Sequence, residues 1–339
     1  MVMVPNMNIL GARSLRLPAL LAALLLLVPP LAACGGDDAA ADDRPRVVVT
    51  TTVLGALVRE LAGDEVAVDV LMPDGVDPHD FQPSARDAER LRGADLVVVN
   101  GLGLEEGLGD AIARAREEGA AVFTATDHVT LRPAVEEEDH ADEGEEDHGH
   151  EGEEEHADEG EEGHAHGPDD PHIWLDPVAM SAVVAALGPE IGRRTGVDMG
   201  ERTAAVRRDL RQLDTDLRAR ARTVPPARRT LVTGHDSMGY FAARYGFRLA
   251  GTIIPSLSSQ AEPSARQLAE LVREIRAARV PTIFTELGTP TPVARSVAQE
   301  AGVDLVELPT HTSPDGTYAG LMTTLMDRVV EGLRAPPPS

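Results

Sequence analysis

Along the chain, short runs of β-branched and apolar residues alternate with longer stretches in which apolar positions recur every three to four residues. Alternation of that kind is the signature of βα units laid on a parallel sheet. In the first part of the chain it predicts strands at 47–52, 67–72, 96–100 and 121–125, with helices near 54–62, 84–91 and 106–118. Later the same grammar resumes, with strands near 230–233, 248–254, 282–285 and 304–308 and helices near 238–245, 264–278, 292–301 and 318–333. The pattern therefore predicts an α/β protein of two lobes with four strands each.

Between the lobes, residues 201–222 contain no Gly or Pro and place Val206, Leu210, Leu213 and Leu217 at spacings of four, three and four. One apolar stripe of that length makes a helix of roughly 33 Å, able to join two lobes as a single strut. The boundaries follow: a first lobe at 46–188, a linking helix region at 189–223 and a second lobe at 224–335. Inside the first lobe the pattern fails altogether at 136–167, which holds 17 acidic residues, six histidines and no apolar side chain larger than Ala. Nothing there can repay the entropy of ordering, so a disordered insert is expected.

The amino terminus breaks the pattern in another way. Arg13 and Arg16 precede a ten-residue apolar run at 19–28, and Leu31-Ala32-Ala33-Cys34 follows. Such a run is too short for a permanent transmembrane helix, which needs about 20 apolar residues, and reads instead as an export signal. Leu-Ala-Ala-Cys followed by Gly35 and Gly36 resembles the bacterial lipobox, so 1–34 is expected to be a lipoprotein signal peptide and Cys34 the lipidated first residue of the mature chain. The alternative is an ordinary signal peptide with an incidental Cys. Residues 35–45 then form a flexible tether of at most about 35 Å, holding the folded part just outside the membrane.

Charge narrows the chemistry. Thirty-one Arg, no Lys and 57 acidic residues give a net charge of -26, of which the insert's 17 acids leave only -9 for the remainder. A chain of this sign repels a phosphate backbone, which argues against nucleic-acid partners. The single Cys excludes an intramolecular disulfide and any thiolate cage. A soft metal would have to be held by histidines.

Outside the insert there are five histidines. His79 lies in Gly-Val-Asp-Pro-His-Asp-Phe-Gln-Pro-Ser (75–84), just after a predicted strand, and His235 in Thr-Gly-His-Asp-Ser (233–237), between a strand and a helix. Ligands of open α/β sheets sit at the carboxyl ends of strands, where both fall. His172, in Asp-Pro-His-Ile-Trp-Leu-Asp-Pro (170–177), precedes a helix start with Asp176 as N-cap and Pro177 in the first turn. Any one histidine alone is more often a hydrogen-bonded structural residue than a ligand, and His128 and His311 keep that reading, as surface or loop residues without a motif. Three in rigid loops alter the balance, because neutral imidazole suits Zn²⁺ and its neighbours better than Ca²⁺ or Mg²⁺. Asp77, Asp80, Asp176 and Asp236 stand near enough in sequence to hold the other ring nitrogens. Trp174 and Tyr240 are expected to pack beneath.

Together the segments 75–84, 171–177 and 233–246 and the acidic His-rich insert resemble the substrate-binding component of zinc ABC importers, the metal-binding family often called cluster A-I. The resemblance covers nearly the whole mature chain. It implies two Rossmann-like lobes, each a four-stranded parallel sheet with flanking helices, joined by one long helix. It further implies a monomeric, non-enzymatic receptor, lipid-anchored outside the cell membrane, that captures Zn²⁺ between the lobes and hands it to an ABC permease with its ATPase. His79, His172 and His235 become metal ligands by that resemblance. The fourth position falls either to Glu286, in the loop after the second lobe's third strand, or to water, since the Asp that many members place a few positions on is missing here. The insert histidines His140, His148, His150, His156, His164 and His166 form an auxiliary weak metal-collecting site, or belong to a merely solvated loop. Manganese members usually carry Glu where this chain has His235, which favours zinc. The rival readings are a manganese importer's receptor, a zinc-dependent hydrolase with water as fourth ligand, and a surface metal buffer or adhesin without a transporter.

Overall fold

The structure, a computed structural model, describes residues 43–133, 169–311 and 315–335 of the 339-residue chain. The expected signal segment with Cys34, most of the tether and the insert 136–167 with its six histidines lie outside the described residues.

The first half runs β1 (Arg46–Val49), α1 (Thr52–Ala62), β2 (Ala67–Val70), α2 (Ala85–Arg92), β3 (Leu96–Val99), α3 (Gly109–Glu117) and β4 (Val122–Thr124). The strands form one parallel sheet in the order β2-β1-β3-β4, with Val47 opposite Val68 and Leu96, and Val97 opposite Val122. Helices cover the sheet, so its central strands are uninterrupted apolar runs: Val47 to Val49 and Leu96 to Val98 have no exposed surface. The first strand ends earlier than the apolar run suggested. Thr50 is drawn off by Glu105, to which its hydroxyl donates at 2.6 Å, and Thr51 turns to cap α1 by accepting from the Leu54 amide.

Two helices follow, α4 (Pro177–Thr195) and α5 (Gly200–Ala221). The start of α4 is the one predicted, Asp176 accepting from the Val178 amide at 2.7 Å with Pro177 in the first turn. The α5 stripe Val206, Leu210, Leu213 and Leu217 is buried, and α5 carries the chain into the second half. There the order is β5 (Thr230–His235), α6 (Gly239–Tyr245), β6 (Arg248–Ile254), α7 (Ala265–Ala278), β7 (Thr282–Thr285), α8 (Thr291–Ala301), β8 (Asp304–Glu307) and α9 (Tyr318–Arg334). The four strands are laddered as two parallel pairs, β5 with β6 and β7 with β8, and β5 lies beside β7.

The largest hydrophobic cluster belongs to neither half alone. It joins Leu54, Leu57 and Leu61 of α1, Met180 and Leu187 of α4 and the α5 stripe to Phe241, Phe284 and Leu321, Leu325 and Val329 of the second half. At roughly 1.5–3 kcal/mol for each fully buried large apolar side chain, this shared cluster binds the halves together far more firmly than a hinge of loops would. Among the described residues no helix is long and apolar enough to cross a membrane.

Candidate metal centre

Three loops from distant parts of the chain meet where the halves face one another. The loop after β2 brings His79, the segment before α4 brings His172, and β5 ends on His235. All three side chains are buried, with 2%, 0% and 1% of their surface exposed. A ring nitrogen from each lies within 4.8 Å of the other two, and the ring centroids are 5.2–5.7 Å apart.

Two of the rings are held by carboxylates. Asp170 Oδ1 accepts from the backbone amide of His172 at 2.9 Å and lies 2.7 Å from its ring Nδ1. Asn100 Nδ2 donates to the Pro171 carbonyl at 2.9 Å, tying the same turn to the first sheet. Glu286, just past β7, accepts from the amides of His235 at 2.9 Å and Gly234 at 3.2 Å and from the Ser237 hydroxyl at 2.9 Å, and its Oε1 lies 2.8 Å from His235 Nδ1. Gly234 must lack a side chain for this, since a Cβ there would come within 1.9 Å of Thr289 Oγ1. With Nδ1 of each ring turned to a carboxylate, the Nε2 lone pairs of the neutral imidazoles face inward.

Those two Nε2 atoms are 3.3 Å apart. A tetrahedral ion with metal–nitrogen bonds of about 2.0–2.1 Å holds its donors about 3.4 Å from one another, so the pair already has the spacing that zinc requires. Lone pairs pointed at each other across that distance repel unless a cation or proton stands between them. His79 completes the group with its Nδ1 3.4 Å from Glu106 Oε1.

Electrostatics pull in two directions. Burial alone would depress the His235 imidazolium, but contact with Glu286 and the charges of Glu286, Asp77 and Asp236 outweigh it and raise its pKa above the ordinary imidazole value. Burial pushes Glu286 up, yet His235 and Ser237 leave it below the usual carboxylate range. Asp170 is raised to about 7 by burial, against the opposing His172 amide and the charges of Arg132 and His235.

The expected residues are placed as follows. His79, His172 and His235 come together; Glu286 does not join the three-nitrogen group, both of its oxygens being engaged by the β5 end and Ser237. Trp174 packs against His172 at 5.3 Å between centroids, donating from Nε1 to the Thr310 carbonyl at 2.9 Å. Tyr240 is buried with its hydroxyl accepting from the Arg132 amide at 3.0 Å. Asp170, rather than Asp176, holds His172, and Asp176 instead caps α4 and pairs with Arg244 at 3.4 Å.

His311 corrects the sequence reading. Expected as a surface or loop residue, it lies in the loop after β8 but is buried, with 5% exposure; its ring is 5.1 Å from Trp174 and its Nδ1 2.9 Å from Thr310 Oγ1, while Nε2 meets no hydrogen-bond partner among the described residues. Burial, followed by the charges of His172 and His235, lowers its pKa to about 3, so it stays neutral at any physiological pH. The signal that finds it is topological: His311 follows β8 as His79 follows β2 and Glu286 follows β7, at the carboxyl ends of parallel strands.

A family model described as ZnuA, zinc-uptake complex component A, periplasmic, matches residues 47–332. The chain is 30% identical over 292 residues to the zinc-binding protein TroA of Treponema pallidum, covering 81% of this chain and 84% of that one. It is 26% identical over 291 residues to the manganese-binding lipoprotein MntA of Halalkalibacterium halodurans, covering 83% and 86%. Among solved structures, the periplasmic zinc-binding protein TroA superposes with a TM-score of 0.70 at 28% identity, over 86% of this chain and 99% of that one.

Proposed function

The chain belongs to the ZnuA family of ABC-transporter substrate-binding proteins, metal-binding cluster A-I, whose relatives bind zinc or manganese, and from that premise we propose that this member is an extracytoplasmic zinc receptor. His79, His172 and His235 ligate the cation through ring nitrogens, with Asp170 and Glu286 holding two of the rings rather than touching the metal. The observation that carries the reading is the 3.3 Å Nε2–Nε2 spacing between two carboxylate-held imidazoles, with a third imidazole beside them. A donor set of neutral imidazoles suits zinc, whereas manganese is better served by carboxylate and water oxygen. The fourth position is filled by water or by His311 Nε2, which is buried and otherwise idle.

The captured ion is cargo. It passes to an ABC permease driven by its ATPase, and a lipid on Cys34 keeps the receptor at the membrane surface. The proposed division of the chain is a first α/β half to about residue 188, a helical link and a second α/β half from 224. The insert histidines supply weak, transient contacts that raise the local cation concentration.

Equilibrium titration of the mature protein with Zn²⁺ and Mn²⁺, repeated after deletion of 136–167, tests the reading. One tight zinc site that survives deletion and outcompetes manganese is the expected result. Preference for manganese, or loss of the tight site with the insert, would refute it. Substituting His311 by Ala decides the fourth position: weaker binding assigns it to His311, unchanged binding to water.

A further inference from the structure

The metal-binding histidines are not mounted alike. His172 sits on Trp174 and the shared core, and His235 ends a buried strand under Glu286. His79 instead hangs on a polar loop that is tied to the other half of the molecule directly through Asp77 and, by way of its ring, through Glu106 of the turn after β3. Asp77 Oδ1 accepts from the His79 amide at 3.0 Å, while its Oδ2 accepts from the Ser259 hydroxyl at 2.5 Å. Glu106 Oε1, 3.4 Å from His79 Nδ1, accepts from the Ser258 hydroxyl at 2.7 Å. Both serines belong to the loop between β6 and α7, whose Ser256 carbonyl accepts from the Asp236 amide next to His235.

These bonds are buried or nearly so: Asp77 is 8% exposed, Ser258 and Ser259 6% each. Gly288, two residues beyond Glu286, lies against them with φ +91°, and a Cβ there would come within 2.1 Å of Asp77 Oδ2 and 2.9 Å of Ser259 Oγ. One small volume thus gathers the loop that carries His79, the loop that braces His235 and a serine pair between them.

We propose that Ser258 and Ser259 form a clasp on Asp77 and Glu106 that fixes His79 against the second half and thereby sets how long the bound cation is retained. This rests on the zinc-receptor reading above. The shared core opposes a wide parting of the halves, and His172 and His235 are anchored in it, so the cation leaves when the His79 loop lifts. Lifting it breaks the buried Asp77–Ser259 bond and parts His79 from Glu106, which Ser258 holds in place. The serines are positioning residues: they touch neither metal nor imidazole.

The test is zinc release from the full mature protein, followed by stopped flow into excess chelator. Ser258→Ala/Ser259→Ala is expected to release zinc about tenfold faster, with the association rate unchanged and the unfolding midpoint of the zinc-free protein lowered only modestly, as the loss of two hydroxyl–carboxylate bonds requires. Ser259→Ala alone should speed release less, and its effect should vanish in an Asp77→Ala background, as partners in one bond require. Ser258→Ala, whose partner Glu106 is partly exposed, provides an independent reading should the double variant fold poorly. Release at the unmodified rate from the alanine variants, or an undiminished Ser259→Ala effect without Asp77, overturns the clasp while leaving the receptor intact. Absence of a tight zinc site in the unmodified chain overturns both.

Discussion

The tripeptide Asp-Pro-His occurs at 77–79 and again at 170–172, and the two copies do the same thing to the backbone and opposite things to the ring. In each, the Asp carboxylate accepts from the His amide two residues on, at 3.0 and 2.9 Å. Local sequence suffices for that, since Asp favours such turns and Pro restricts the intervening residue. Beyond it the copies diverge. Asp170 also reaches the His172 ring and leaves it locked over Trp174, whereas Asp77 turns its free oxygen to Ser259 and leaves the His79 ring to Glu106. In the proposed receptor, identical short motifs become an anchored ligand and a releasable one because of what the far half of the chain presents to the second carboxylate oxygen.

Substitutions can break or sharpen that contrast. The largest effect is expected from His172→Ala or His235→Ala, which remove a donor and should weaken zinc binding beyond the about 10–100-fold that loss of a supporting partner costs; calorimetric titration measures it. Asp170→Ala should fall within that 10–100-fold range at equilibrium, while Asp77→Ala should weaken binding by about tenfold, all of it through faster release. Equal effects of the two on both quantities would erase the distinction between the copies.

Acid comes next. Because Glu286 raises the His235 pKa in the metal-free protein, the folded state binds this proton more tightly than the unfolded chain does. Its contribution to metal-free stability is full below the ordinary imidazole value of about 6.5 and is lost as pH rises through the raised folded value. Zinc must displace the same proton, so affinity should decline as pH falls, beginning above 6.5, and Glu286→Gln should move that decline to lower pH. Titration across pH 5 to 8 in both proteins checks the sign.

The smallest change is Tyr318→Phe. It removes the hydroxyl that donates to the Trp174 carbonyl at 2.7 Å and should cost about 1 kcal/mol of stability or somewhat more, read in denaturant unfolding, with zinc affinity nearly preserved.

Much of this was legible in the chain itself. The ranges 248–254 and 282–285 reappear as β6 and β7, the α5 stripe is buried as its spacing required, and Asp176 with Pro177 starts α4. Periodicity and caps are local signals, and these elements obey them. What stayed hidden is tertiary. α4 runs on through Pro189, a residue that ordinarily ends a helix. His311 carries no motif, and only the placement of β8 brings it beside Trp174. Glu286 reads equally well as ligand or brace until the β5 amides are seen to occupy it, and no spacing tells which of two Asp-Pro-His turns will have its carboxylate on its own ring.

An isolated antiparallel bridge closes the first half beside His172. Pro133 pairs with Asp169, and the Asp170 amide donates to the Arg132 carbonyl at 2.8 Å, three residues or fewer from His172. A stem pinched shut in this way insulates the histidine from whatever lies between its ends, and each doubling of a connecting segment adds only about 0.6 kcal/mol of closure cost. A change in the length of the segment joining Pro133 to Asp169 should therefore leave the placement of His172 nearly unaltered.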